Sequence, residues 1–172
     1  MIQRVIEELL HVTPAVSVIA NDPEYDRLGF PVLADLNSGI GPLEAIRVAL
    51  AASLAPRVLL VACDLPFVTA ELFEFLLTRI EGHQAVVPLS TDGRLEPLCA
   101  IYSTEALGHV TELIGSGERK VSRLFDRVRA RLVPFEDLNE LDGAERFFIN
   151  VNTPEDYARA GENSPGSGQP AV

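Results

Sequence analysis

Tryptophan is absent from this sequence, methionine occurs once and cysteine twice. The two cysteines, Cys63 and Cys99, each lie within or at the end of an apolar run; they form no disulfide framework and read as reduced, buried thiols. Zinc-type spacing is missing, because His11, His83 and His109 are scattered through different segments and receive no role. Basic charge is scarce: Lys+Arg 14 against Asp+Glu 25 leaves a formal net charge of −11, and Lys120 is the one lysine. Such a field repels a phosphate backbone and excludes general nucleic-acid binding. Any phosphorylated ligand must be held locally, by backbone N–H groups, a metal ion or a few clustered arginines. The longest mostly apolar runs, 48–55 and 58–63, fall far short of a bilayer span, so no membrane segment is expected. Arg4, Glu7 and Glu8 interrupt the opening residues, which lack the basic start and continuous apolar stretch of a signal peptide; a cytoplasmic chain is expected.

What is present is a chain of 172 residues, 47% hydrophobic and 23% charged, enough for one globular domain with a real core. Ile2, Val5, Ile6, Leu9 and Leu10 follow the helical period and Pro14 stops them. The short apolar runs 15–20 and 31–34 read as strands, followed by Asn21-Asp22-Pro23 and by Asp35. Leu43, Ile46, Leu50 and Leu54 mark a helix that has Gly41 at its cap and Pro42 in its first turn, and ends before Pro56. Residues 57–63 form the most apolar strand, and Thr69 opens a helix to about residue 80. Segments 85–89 and 95–102, joined by the polar turn 90–93, read as an inserted strand pair. Helices at 104–114 and 121–129, strands at 131–135 and 147–151, and a helix from Thr153 complete the pattern. The alternation predicts a three-layer α/β domain with a mostly parallel sheet over residues 1–160, and a Gly/Ser/Pro-rich disordered tail over 161–172. Ligands of such a sheet sit beyond the C-terminal ends of its strands.

Asp64 stands where the most apolar strand ends, in Cys63-Asp64-Leu65-Pro66-Phe67. A hard cation that keeps several waters needs only one or two carboxylates plus substrate phosphates, so Asp64 is the candidate magnesium ligand. A helix cap is the plainer alternative, but Thr69 serves the next helix better. Asn150 and Asn152 alternate in Phe147-Phe148-Ile149-Asn150-Val151-Asn152, which puts two amides on one side of an extended segment. They are weighed as site residues against simply tying down the start of the following helix. Gly39-Ile40-Gly41-Pro42 leaves N–H groups free at a helix start, a weak anion signal; Asn21 and Asp35 are polar groups at strand ends. Arg119, Lys120, Arg123, Arg127, Arg129 and Arg131 form a basic cluster, read first as a solvated face and second as a phosphate or partner contact. Arg123, Arg127 and Arg131 share one face if their helix runs that far.

In order, Ala20-Asn21, Val32-Leu33-Ala34-Asp35, Gly41-Pro42-Leu43, Cys63-Asp64-Leu65-Pro66-Phe67, Glu96-Pro97-Leu98 and Asn150-Val151-Asn152-Thr153-Pro154-Glu155-Asp156 resemble the molybdenum cofactor guanylyltransferase family over residues 2 to about 160. The resemblance implies a Rossmann-like nucleotidyltransferase fold and transfer of GMP from GTP to molybdopterin-bound molybdenum cofactor, with release of pyrophosphate. It implies magnesium on Asp64, GTP contacts from Asn21, Asp35, Gly41 and Asp64, and a catalytic centre of Asp64, Asn150 and Asn152. GTP, molybdopterin, other cofactor-biosynthesis proteins and apo-molybdoenzymes are the implied partners. Cytidylyltransferases of the same pathway usually have Asp-Gln-Pro at the metal strand and aspartates at the two asparagine positions, which favours guanylyl transfer. Ala45 replaces a common glycine. The family also opens with a strand and a loop of the type Leu-Ala-Gly-Gly-x-Ser-x-Arg-Met-Gly-x-Asp-Lys that cradles the triphosphate, whereas this chain begins at the helix after it. The expected sheet therefore lacks its first, central strand, leaving the strands at 16–20 and 58–63 without a shared neighbour. An inactive or truncated relative acting as a binding or regulatory protein, or a related molybdopterin cytidylyltransferase, is the alternative reading.

Overall fold

The computed structural model describes residues 1–34, 39–153 and 156. Helix α1 (Ile2–Val12) forms where the periodicity places it and ends at Thr13, whose extended conformation sends its N–H back to Leu9 O. Two short strands follow, β1 (Val18–Ile19) and β2 (Val32–Leu33), parallel to each other. Helix α2 (Pro42–Ala52) starts after Gly41, whose φ of 78° and ψ of −148° is open to glycine and strained for any other residue. Strand β3 (Arg57–Val61) leads to α3 (Ala70–Leu77), capped by the Thr69 hydroxyl accepting the Leu72 N–H. Then come β4 (Ala85–Pro88), β5 (Cys99–Ser103), α4 (Leu107–Gly115), α5 (Ser122–Phe125) and β6 (Ala130–Val133).

Strands β3 to β6 form one sheet in the order β3-β5-β4-β6; β1 and β2 form a separate pair. Within the larger sheet β5 is antiparallel to both neighbours, whereas β4 and β6 are parallel. Strands β3, β4 and β6 therefore share one direction, as a mostly parallel α/β sheet requires. Side chains alternate with a period of two. Leu59, Val61, Val86, Cys99, Ile101 and Val133 join the core under α1 and α3. Val58, Leu60, Ala85, Val87, Ala100 and Tyr102 join the core under α2, α4 and α5. Three layers result, as expected.

Four expectations need correction. The strand pair at 85–102 is not an insertion, because β5 lies between β3 and β4 in the sheet. Residues 147–151 make no strand: Phe147 closes a turn onto Ala144 O, Ile149 N–H returns to Arg146 O, and no described strand pairs with the segment. The alternation of the sequence is not an alternation of burial: Phe147 and Val151 are buried, but Ile149 between them is 38% exposed. Helix α5 stops at Phe125, so Arg127 lies in a turn and Arg131 in β6, and the three arginines share no helical face. Cys63 is exposed, whereas Cys99 is fully buried as expected. Three calls lie outside the described residues, wholly or for the most part: Asp35, the tail at 161–172 and the helix from Thr153, of which Thr153 and residue 156 alone are described.

Strands β1 and β3 share no pairing among the described residues, and each forms the edge of its own sheet.

Candidate functional site

Asp64 follows β3 in a tight turn, with Leu65 N–H bonded to Ala62 O at 3.4 Å. Below it Leu65, Pro66, Phe67 and Val68 are buried and fix the turn as a rigid shelf, while Asp64 itself is half-buried. No ion pair or hydrogen bond engages its carboxylate among the described residues. Its carbonyl accepts the Val151 N–H at 2.9 Å. That single bond draws the 150–152 segment across the end of β3: Val151 is fully buried, and Asn150 and Asn152 are exposed on either side of it. Beyond them the Thr153 hydroxyl accepts the Asp156 N–H and the Asp156 carboxylate accepts the Thr153 N–H, both at 3.1 Å, a reciprocal helix-start pattern. That box rests on Thr153 and Asp156 and leaves the two asparagine amides out of the helix start.

The antiparallel pairing of β3 with β5 brings a second carboxylate to this end. Val61 is opposite Cys99, and Ala62 N–H donates to Leu98 O at 2.6 Å, so Glu96, three residues before β5, lies beside the Asp64 turn. Burial pushes the Glu96 carboxyl above the usual range, and the Asp64 and Asp92 carboxylates add to the shift against the Ser90 hydroxyl and Arg94. Sequence reasoning gave Glu96 no role. Its signals in the chain are its place ahead of Pro97 at the start of a strand and the Glu96-Pro97-Leu98 motif of the resemblance. The adjoining turn is ordered by the Ser90 hydroxyl donating to Asp92 at 2.7 Å and by the Arg94–Asp92 ion pair at 2.8 Å. A cavity of about 140 Å³ opens there, walled by Ser90, Thr91, Arg94, Phe135, Phe148 and Ile149.

Two carboxylates at one end of the sheet, both hard oxygen donors, fit a divalent cation. No group of three or more His, Cys, Asp or Glu that could hold a metal exists among the described residues, so phosphates and water would complete the coordination. Asn21 stands at the exposed C-terminal end of β1, and Gly41 at the start of α2. The basic cluster is different in kind. Arg123 pairs with Glu118 and Asp126, Arg127 with Glu112, and Arg129 with Glu105, so the cavity of about 310 Å³ beside Arg123 and Arg127 offers no unneutralised cation from these residues. The solvated-face reading fits it.

Cys63 reports on the same end of the sheet. Although the residue as a whole is exposed, partial burial of its thiol and the Asp64 carboxylate push it up. Burial holds the Cys99 thiol far above its ordinary range. A maleimide at neutral pH is expected to label Cys63 in the folded protein and Cys99 at least about a hundredfold more slowly, read by peptide mass spectrometry.

A three-layer α/β domain that offers an acid and paired amides at the strand ends has the frame of a nucleotidyltransferase. The chain belongs to the MobA-like NTP transferase domain family, whose profile matches residues 1–132. It is 36% identical over 161 residues to a probable molybdenum cofactor guanylyltransferase of Pelotomaculum thermopropionicum, covering 93% of this chain and 78% of that one. A protein of the same description from Carboxydothermus hydrogenoformans is 33% identical over 159 residues, covering 92% and 80%. The crystal structure of molybdopterin-guanine dinucleotide biosynthesis protein A from Archaeoglobus fulgidus superposes with a TM-score of 0.72 at 28% identity, covering 92% of this chain and 84% of that one. Among the described residues no helix is long and apolar enough to cross a membrane.

Proposed function

We propose that this protein transfers GMP from GTP to the molybdopterin-bound molybdenum cofactor. The observation that carries the reading is the Asp64 turn: a carboxylate without a described partner, on a buried shelf, locked through its carbonyl to the segment bearing Asn150 and Asn152. The relatives' names supply the two substrates. An oxygen of the pterin phosphate attacks the α-phosphorus of GTP, the bond to the β-phosphate oxygen breaks, and pyrophosphate leaves. Asp64, with Glu96 beside it, would hold a divalent cation, magnesium in this reading, which supplies neutralisation of the phosphate oxygens and the departing pyrophosphate. Asn150 and Asn152 present amide donors and acceptors to the acceptor pterin and orient its phosphate. The buried turn under Asp64 keeps the carboxylate fixed, so little reorganisation accompanies the reaction. Asn21, Asp35 and the start of α2 at Gly41 receive the nucleotide, and the reaction belongs in the cytoplasm. Incubating the protein with GTP, magnesium and molybdenum cofactor and following pyrophosphate and the guanine dinucleotide product tests the assignment.

Base choice gives a sharper test. A carboxylate at position 35 can accept from the ring and exocyclic N–H groups of guanine, an arrangement cytosine does not present. Asp35→Ala is expected to weaken GTP binding by about tenfold or more and CTP binding much less, measured by calorimetry with magnesium. Equal losses would assign Asp35 to the ribose or to bracing its loop.

A further inference from the structure

Asn150 and Asn152 stand on residues 144–152, a segment that pairs with no described strand. Its own turns shape it: Arg146 N–H donates to Gly143 O at 2.9 Å, Phe147 N–H to Ala144 O at 3.2 Å and Ile149 N–H to Arg146 O at 3.0 Å. Ala144 and Phe147 root it in the core that also holds Leu65 and Val68. Among the described residues a single backbone bond ties it to the Asp64 turn, from Val151 N–H to Asp64 O. One hydrogen bond fixes a distance but tolerates a broad range of angles, so by itself it lets the exposed amides of Asn150 and Asn152 swivel against Asp64.

Arg146 supplies a second point of attachment. Its guanidinium stands over the ring of Phe67, 5.2 Å from the centroid, within the ~6 Å reach of a cation–π contact. Phe67 belongs to the buried shelf under Asp64, and the arginine side chain is only 29% exposed, so cation and ring meet largely out of water, where the attraction is strongest. The guanidinium also passes beside Gly143, where a Cβ would stand 3.5 Å from Nη2. Glu145 lies 3.8 Å from Nε but is mostly exposed, which makes that ion pair a weak, screened one. The contact of Arg79 with Phe75, at 3.3 Å, is of another kind: it spans four residues at the end of α3 and joins no two parts of the site.

We propose that Arg146 is a positioning residue, whose guanidinium on the Phe67 ring fastens the Asn150–Asn152 segment to the Asp64 turn and fixes the orientation of the two amides. The links close a circuit: Asp64 leads along the chain to Phe67, Phe67 holds Arg146, Arg146 O takes the Ile149 N–H, and Val151 N–H returns to Asp64 O. Two separated attachments hold an angle that one does not. The inference rests on the reading of Asn150 and Asn152 as contacts to the acceptor pterin. On that reading, loss of the clasp misaligns the acceptor phosphate and leaves GTP and the cation at Asp64 untouched.

The test follows amide exchange by NMR in the full chain carrying Arg146→Met or Arg146→Lys. The Val151 amide is expected to exchange about tenfold faster in Arg146→Met, while Val86 and Ile101, deep in the sheet, keep their parent rates as the folding control. Arg146→Lys, which keeps a cation for the ring, is expected to recover most of the protection. Phe67→Leu is expected to speed Val151 as well, and Arg146→Met on top of it to add nothing; if Phe67→Leu fails the folding control, the two Arg146 variants decide alone. In turnover, Arg146→Met is expected to raise the KM for molybdenum cofactor about tenfold and to leave the KM for GTP within twofold, with Arg146→Lys close to the parent in both. Unchanged exchange at Val151, equal acceleration at Val86 and Ile101, equal acceleration in Arg146→Lys, or equal rises in both KM values would overturn the proposal. A parent chain that transfers no GMP would overturn the proposed reaction instead, and Val151 exchange would still decide whether Arg146 holds the segment.

Discussion

Asp64→Asn is expected to lower metal-dependent nucleotidyl transfer by roughly 10²- to 10³-fold while leaving the fold intact. The separation of the two effects follows from how the residue is held. Its backbone carbonyl, not its carboxylate, makes the 2.9 Å bond to Val151 N–H, and Leu65 to Val68 bury the turn beneath it. Asparagine keeps the shape and the carbonyl but loses the charge that a cation needs. Turnover is read with GTP, magnesium and molybdenum cofactor, and stability by thermal melting. A second readout comes from Glu96. Asp64 helps to raise the Glu96 carboxyl, so removing that charge is expected to move the Glu96 titration midpoint down in an NMR titration. Activity within a few-fold of the parent at an unchanged Tm would remove Asp64 from the reaction.

The position of Asp64 could be read from the chain because it depends on local features: an apolar strand that ends, a proline, and a cap at Thr69. So could α1, α2 and α3, whose periodicity and boundary residues agree with their burial. What could not be read depends on residues far apart. Strand β5 looks like half of an inserted hairpin until its pairing with β3 is seen, and no local pattern specifies that Val61 meets Cys99. The same pairing hides Glu96 from sequence reasoning, since its proximity to Asp64 exists only through it. Residues 147–151 show the converse failure, an apolar–polar alternation with no described strand partner and no evenly buried face, since Ile149 is exposed between Phe147 and Val151. Three of the six basic residues of the cluster, Arg123, Arg127 and Arg129, are paired with Glu105, Glu112, Glu118 and Asp126, two of which belong to the preceding helical segment, Thr104–Ala106 and α4.

The largest stability loss is expected from Arg47→Met. Glu44 is fully buried in the first turn of α2, and Arg47 closes on it with Nε to Oε2 at 2.8 Å and Nη2 to Oε1 at 2.6 Å. The geometry is bidentate and the arginine is only 21% exposed, so the pair is shielded from the screening that makes surface ion pairs weak. Helix propensity changes little between arginine and methionine, so the loss comes from the pair. Removing the guanidinium takes the bidentate partner from a carboxylate held in the interior, which costs up to about 3–5 kcal/mol, a large part of the ~5–15 kcal/mol that holds a domain of this kind together. Urea denaturation of the variant reads that difference as a lower midpoint at constant slope. The companion Glu44→Leu/Arg47→Met variant decides the cause. If the cost is the loss of the Arg47 pairing to a buried charge, the double substitution recovers much of the loss, because two packed apolar side chains can replace a buried pair. If the double variant is as unstable as the single one, the carboxylate of Glu44 supports the start of α2 through contacts beyond Arg47. The site consequence would then follow, since Gly41 and the nucleotide-facing end of α2 depend on that same turn.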